Sequence, residues 1–310
     1  MPGASILCAT DLTDHGERVV DLGIAAAKAF GARLDLVHVI DDADSWWPES
    51  PDLEAVDQAR QHATAYEAAL EERLAQTRAR CTDAGIECEA LVVRGRPWRL
   101  IPEVAQQRSS FLIVIGAFGA GGARSVERAG VSERVLGSTA ERVVRAADRP
   151  VFVATGDREI KDALAGTTWL VGTDFSQSSD AAVSWAKRAV ARVGGALHVA
   201  NVVIPAGGEE KPDEERTWRQ VLRDQSKLEA GKRLLDYVDQ HAPGAEQHQI
   251  VSADYPSHAL SDAAVMVDAD VLVVGTQYQN VLGRLLIGST ASRCLRIAPM
   301  LVLMVPAQAR

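Results

Sequence analysis

Two short stretches carry residue types that could hold an anion. The first is Gly288-Ser289-Thr290, which follows Gly275 and opens an apolar-periodic segment, 291–297. A helix starting here leaves its first backbone N–H groups without partners, and the positive end of its dipole points the same way. Such a helix start accepts phosphate. Ser289 and Thr290 add hydroxyl donors, and Gly288 has no side chain to keep a phosphate off the backbone. The second stretch is Gly137-Ser138-Thr139, which lies beyond the glycine-rich run Gly116, Gly119 and Gly122. Two carboxylates, Asp11 and Asp174, each end a strand-like run. An exposed carboxylate beside an anion site suits the two hydroxyls of a ribose. A plainer reading uses the same residues: turn glycines, Ser289 as a helix cap, and each Asp as a cap or turn residue.

The elements that must position these residues follow from apolar patterning. Val271-Leu-Val-Val enters Gly275 as a buried parallel strand, and Phe111–Ile115 enters Gly116 the same way. Ser5–Ala9 is a short strand ending at Thr10-Asp11, with Thr13 placed to cap the next helix. That helix carries Val19, Val20, Ile24, Ala27 and Phe30 on one stripe and stops at Gly31. Arg33–Ile40 reads as a strand, Asp41–Pro51 as an acidic loop with Trp46 and Trp47, and a long charged helix then runs to Gly85. A strand over Ile86–Val93, a short helix from Pro97 and a strand over Val151–Ala154 complete the series.

The order then begins again. A shift of 163 places Asp174 on Asp11, Gly194 on Gly31 and Val202 on Val39. A shift of 159 places Pro256 on Pro97 and Gly275 on Gly116, and a shift of 151 places Gly288-Ser289-Thr290 on Gly137-Ser138-Thr139. The chain is therefore a tandem duplication, with halves at 1–155 and 167–310 joined by a linker at 156–166. The expected fold is α/β: two tandem open parallel five-stranded sheets with helices on both faces. Ligands of such sheets sit beyond the carboxyl ends of the strands, where Asp11 or Asp174 meets the Gly-Ser helix start. The last strand of each half would lie at a sheet edge, so the halves are expected to pair with each other there.

With 310 residues, 47% of them hydrophobic and 24% charged, the chain suits two globular domains. A formal charge of -9 argues against nucleic-acid and anionic-membrane surfaces. The N-terminus lacks the pattern of a secretory signal, so the expected location is the cytoplasm. Cys8 and Cys294 read as core residues, and Cys81 and Cys88 match no zinc spacing. The seven histidines show no paired metal spacing and read as structural. Walker, dinucleotide-turn and nucleophile-elbow motifs are absent. With neither a nucleophile–base pair nor a metal cluster, no catalytic residue is named and efficient enzymatic turnover is not expected.

The opening strand ending in Thr173-Asp174-Phe175-Ser176, the Leu36-Val37-His38-Val39-Ile40 strand and the strand–Gly–loop–Gly-Ser–helix of each half resemble the universal stress protein family in its tandem, pseudo-dimeric form. Its nucleotide-binding members carry Gly, two residues, Gly, nine residues, Gly, then Ser or Thr. The resemblance implies ATP, with Mg as a possible companion, its phosphates on the glycine loop and helix start. The first-strand Asp would hold the ribose and the end of the second strand the adenine. By position these are Asp174, Val202, Gly275, Gly288, Ser289 and Thr290 in the second half. In the first they are Asp11, Val39, Gly116, Gly119, Gly137 and Ser138. Tyr278 stands where the second half's middle glycine belongs, and the first half's loop is longer by eight residues. Its insertion contains Arg124, Glu127, Arg128 and Glu133, and could either lift the loop off the phosphates or fold over them. The resemblance thus implies a stress-response module with an ATP sensor site, or a scaffold that binds no nucleotide. Partners expected are the other half, a second copy in a homodimer, and other proteins.

Overall fold

The structure is a computed structural model that describes residues 4–41, 53–118, 125–128, 131–156, 158–204, 215–251, 255–279 and 285–308. The Trp46–Trp47 loop and Gly119 lie outside the described residues.

The first half runs β1 (Ser5–Ala9), α1 (Asp14–Phe30), β2 (Arg33–Ile40), α2 (Leu53–Asp83), β3 (Cys88–Arg94), α3 (Pro97–Gln107) and β4 (Ser110–Gly116). A small hairpin, β5 (Ser125–Arg128) and β6 (Val131–Arg134), precedes α4 (Ser138–Ala146) and β7 (Val151–Ala154). The second half repeats the series: β8 (Thr168–Thr173), α5 (Gln177–Val193), β9 (Ala196–Val203), α6 (Glu215–His241), β10 (Glu246–Val251), α7 (Pro256–Met266) and β11 (Val271–Gly275). Its hairpin is β12 (Gln277–Gln279) with β13 (Leu285–Ile287), followed by α8 (Ser289–Ile297) and β14 (Leu301–Val305).

The two expected sheets are continuous. Ten strands lie in the order β10-β9-β8-β11-β14-β7-β4-β1-β2-β3. Strands of one half pair in parallel, as β-branched runs joined by helical crossovers must. At the centre β14 meets β7 antiparallel, with Leu303 opposite Phe152. Neither last strand is left as an open edge.

Helices cover both faces, and each core layer draws on both halves. On one face Trp169, fully buried, lies 6.0 Å from Phe152 and 6.1 Å from Trp185, which in turn meets Phe30 edge-on at 5.6 Å. The indole of Trp169 donates to Thr167 Oγ1 at 2.7 Å, so its burial leaves no orphan donor. The linker is packed: Leu164 is fully buried, and Asp162 pairs with Lys28 at 2.7 Å. Where the linker begins, Gly156 holds φ 64°, and a Cβ there would fall 2.0 Å from the carbonyl oxygen of Pro299. Only glycine lets the two backbones approach so closely.

The glycine loops differ from expectation. The stretch between the glycines of each half contains an antiparallel hairpin, β5–β6 or β12–β13. The inner strand of each hairpin crosses the joint: β6 lies against α8, and β13 against α4. Arg296 of α8 also reaches Glu141 of α4 at 3.5 Å.

Candidate functional site

The turn after the first strand of each half is built from matching hydrogen bonds. Thr10 Oγ1 accepts from the amide of Leu12 at 3.1 Å, and Thr173 Oγ1 accepts from that of Phe175 at 3.0 Å. Asp11 Oδ1 accepts from the amide of Thr13 at 3.1 Å, and Asp174 Oδ1 from that of Ser176 at 3.0 Å. Leu12 and Phe175, between these anchors, sit at φ 57° and 61°. A side chain with a Cβ holds that conformation at a cost on the order of 1–3 kcal/mol, and only where its surroundings impose it. Leu12 is pinned against Leu70 and Leu74. Phe175 meets Tyr237 edge-on at 5.3 Å and lies 4.2 Å under the guanidinium of Arg233. The result is an exposed Asp of fixed orientation in each half. Burial pushes the Asp174 carboxyl up, but hydrogen bonds from Ser176 and Ser179 outweigh it and hold it below its ordinary value.

The second strand is tied to the same turn. His38 Nδ1 lies 3.0 Å from the carbonyl oxygen of Thr10, and Asn201 Nδ2 donates to that of Thr173 at 2.8 Å. His38 and Asn201 are equivalent by the 163-residue shift. His38 is therefore a satisfied buried residue, in keeping with its expected packing role.

Across the cleft stand the two helix starts. The cap positions of α4 and α8 are Gly137 and Gly288, so neither helix has a side-chain cap. This corrects the reading of Ser289 as a cap; it is the first helical residue. Thr13 is also corrected: it occupies the cap position of α1, but its hydroxyl donates to Asp11 at 2.7 Å. Its counterpart Ser176 does cap, accepting from the amide of Ser179 at 3.3 Å. Gly288 has φ -57° and ψ 145°, a conformation open to any residue. A Cβ there would meet nothing within 4 Å among the described residues. Neither conformation nor described packing asks for glycine at 288. Its missing side chain keeps the space before the first-turn N–H groups clear. Gly275 differs, since a Cβ there would fall 2.5 Å from Ser178 Oγ and 2.7 Å from Ser178 O. That glycine lets α5 pack on β11.

A backbone bond closes the neck of each loop. The amide of Gly137 donates to Ala117 O at 2.9 Å, and that of Gly288 to Thr276 O at 3.2 Å. Tyr278, at the missing-glycine position, lies in β12 opposite Leu286. Its backbone is extended there, so no positive φ is demanded of it.

These parts line a cavity in each half at the carboxyl ends of the strands. Asp11, Val39, Gly116, Gly137 and Ser138 line a cavity of about 280 Å³ together with Phe118. Asp174, Val202, Gly275, Gly288, Ser289 and Thr290 line one of about 610 Å³.

A third cluster was not legible in the sequence. His198 Nδ1 lies 2.9 Å from His248 Nε2 and 3.4 Å from a Glu246 carboxylate oxygen. Fifty residues apart, the two histidines meet because β9 and β10 pair with His198 opposite Glu246. The signal available in the sequence was Glu246-x-His248, two ligand types on one face of a strand.

Taken together, the molecule is a tandem α/β protein whose two parallel halves form one ten-stranded sheet covered on both faces, each half with a strand-end cavity under an uncapped helix start. The family model for the universal stress protein family matches residues 4–155 and again 167–306, and the chain belongs to that family. A universal stress protein of Thermus aquaticus, described by its place in a QAH/OAS sulfhydrylase 3' region, is 32% identical over 150 residues, covering 48% of this chain and 96% of that protein. Among solved structures, a universal stress protein from Archaeoglobus fulgidus superposes with a TM-score of 0.66 at 20% identity, covering 98% of this chain and 96% of the other. A protein of unknown function from Pseudomonas aeruginosa gives 0.57 at 16% identity, covering 98% and 92%. Both likenesses concern the fold. Among the described residues, no helix is long and apolar enough to cross a membrane.

Proposed function

We propose that the chain is a nucleotide-responsive regulatory protein whose second half binds an adenine nucleotide such as ATP. One observation carries this reading: Asp174, Val202, Gly275 and the Gly288–Thr290 helix start line a single cavity of about 610 Å³. Small-molecule sites fall in the range of about 300–1,000 Å³. The space left open at Gly288 fits a phosphate approaching the helix start. Ser289 and Thr290 would add hydroxyl donors, Asp174 would accept from ribose hydroxyls, and the backbone at Val202 would meet the base. A bound nucleotide would supply negative charge to complement the dipole of α8. The first half, with about 280 Å³ and Phe118 in its lining, is the non-binding copy. Its contribution is structural, through the continuous sheet and the crossed hairpins.

The test is isothermal titration of ATP with Mg into the wild type and into Asp174→Ala. Micromolar binding lost in the variant supports the proposal. Absence of heat at millimolar ATP refutes it, and the scaffold reading then stands.

A further inference from the structure

The edge of the sheet in the second half holds three metal-ligating groups that point at one another. His198 Nδ1, His248 Nε2 and a Glu246 carboxylate oxygen all lie within 4.8 Å of one another. Two of the separations are 2.9 and 3.4 Å. Ligand atoms at about 2.0–2.1 Å around a tetrahedral ion stand roughly 3.3 Å apart. His198 is largely buried and Glu246 is exposed, so the group opens to solvent on one side.

The first half shows what this position normally contains. There the equivalent register pair is Asp35 opposite Glu89. Arg33 lies 3.5 Å from Asp35, and Arg108 grips Glu89 with two bonds of 2.7 Å each. The same shifts put Ala196 at the place of Arg33 and Val267 at the place of Arg108. The second half thus has apolar residues where the first has both arginines, the same carboxylate at Glu246, and His198 in the place of Asp35. Three groups of metal-ligand type converge where the first half is neutralised by guanidinium groups. A proton shared by the two rings satisfies only one contact of the three. A cation satisfies all of them.

We infer that His198, Glu246 and His248 form a binding site for a divalent transition-metal ion of the zinc type. Two imidazoles with a carboxylate select Zn²⁺, Co²⁺ or Ni²⁺ over Mg²⁺ and Ca²⁺, which prefer oxygen ligands. Three protein ligands leave a fourth position for water. The site lies at the amino-terminal end of β9 and β10, opposite the nucleotide cavity, and does not depend on it. An ion there would tie the last two strands of the sheet together.

Cobalt titration of the full-length, chelator-treated chain tests this. The expected result is visible d–d absorption that saturates at about one equivalent, displaced by Zn²⁺ but not by Mg²⁺. His248→Ala, at a partly exposed position, should weaken binding at least about 100-fold, and Glu246→Gln about 10-fold. Metal should raise the melting temperature of the wild type but not of His248→Ala, whose metal-free melt reports its folding. A Cys81→Ser/Cys88→Ser variant should bind as the wild type does. The inference is overturned if the wild type shows no saturable band, if His248→Ala binds unchanged, or if the cysteine variant abolishes binding.

Discussion

The two halves share one scaffold and differ in what surrounds their cavities. Each has an Asp fixed beyond its first strand, a residue at positive φ after it, and a glycine-capped helix across the cleft. The first half adds a longer hairpin and lines its cavity with Phe118, leaving about 280 Å³. The second leaves about 610 Å³. At the outer strands the halves differ again, arginine–carboxylate pairs in one answering to a His–Glu–His group in the other. Duplication preserved the elements that the sheet and helix packing require. The loop hairpin and the outer strand edge, under no such demand, diverged, while Asp11 and Asp174 and the Gly-Ser-Thr helix starts stayed alike in the two cavities.

The largest expected effect breaks the joint on which the comparison rests. Gly156→Ala places a Cβ against Pro299 O at a left-handed φ. It should cost on the order of 3 kcal/mol and lower the melting temperature by several degrees. A melt within one degree of wild type would show that the halves do not need this close approach.

The next two effects separate site from scaffold. Asp174→Ala should weaken ATP binding roughly 10–100-fold, the worth of hydrogen bonds to a charged acceptor, whereas Asp11→Ala should leave it unchanged. Gly288→Ala should fill the space proposed for phosphate and lower affinity about 10-fold with stability within about 0.5 kcal/mol of wild type. Gly275→Ala should instead lose stability, because its Cβ meets Ser178. Equal affinity in Gly288→Ala and the wild type, read by titration calorimetry, would remove the role given to Gly288.

The smallest effect is electrostatic. Asp174 is held below its ordinary value in the folded chain. Its contribution to stability is therefore present above pH about 4 and is lost as pH falls through the lowered value. The wild type should melt slightly above Asp174→Asn at neutral pH, and the gap should close in acid. A gap that widened in acid would reverse the sign.

The repeat, the succession of strands and helices and the strand-end position of the cavities were legible because each rests on local signals. Strand ends, turn glycines and helix starts recur at shifts of 163, 159 and 151. The hairpins were not legible: β12 and β13 have three residues each, too few to show alternation. Ser289 was misplaced by one residue because a Gly-Ser pair offers two positions for a cap. His198 and His248 carry no shared motif, since their meeting depends on the register of β9 and β10. Contacts made across strands are set by tertiary pairing, which spacing along the chain does not encode.

The central claim is that the second half, and not the first, holds an adenine nucleotide. It is tested most directly by equilibrium dialysis of the wild type, Asp11→Ala and Asp174→Ala against ATP with Mg, with the bound nucleotide released by denaturation and counted by mass spectrometry. About one equivalent of adenine nucleotide is expected from the wild type and from Asp11→Ala, and at most a small fraction of that from Asp174→Ala. Release from Asp174→Ala but not from Asp11→Ala, or no release from any of the three, would contradict it.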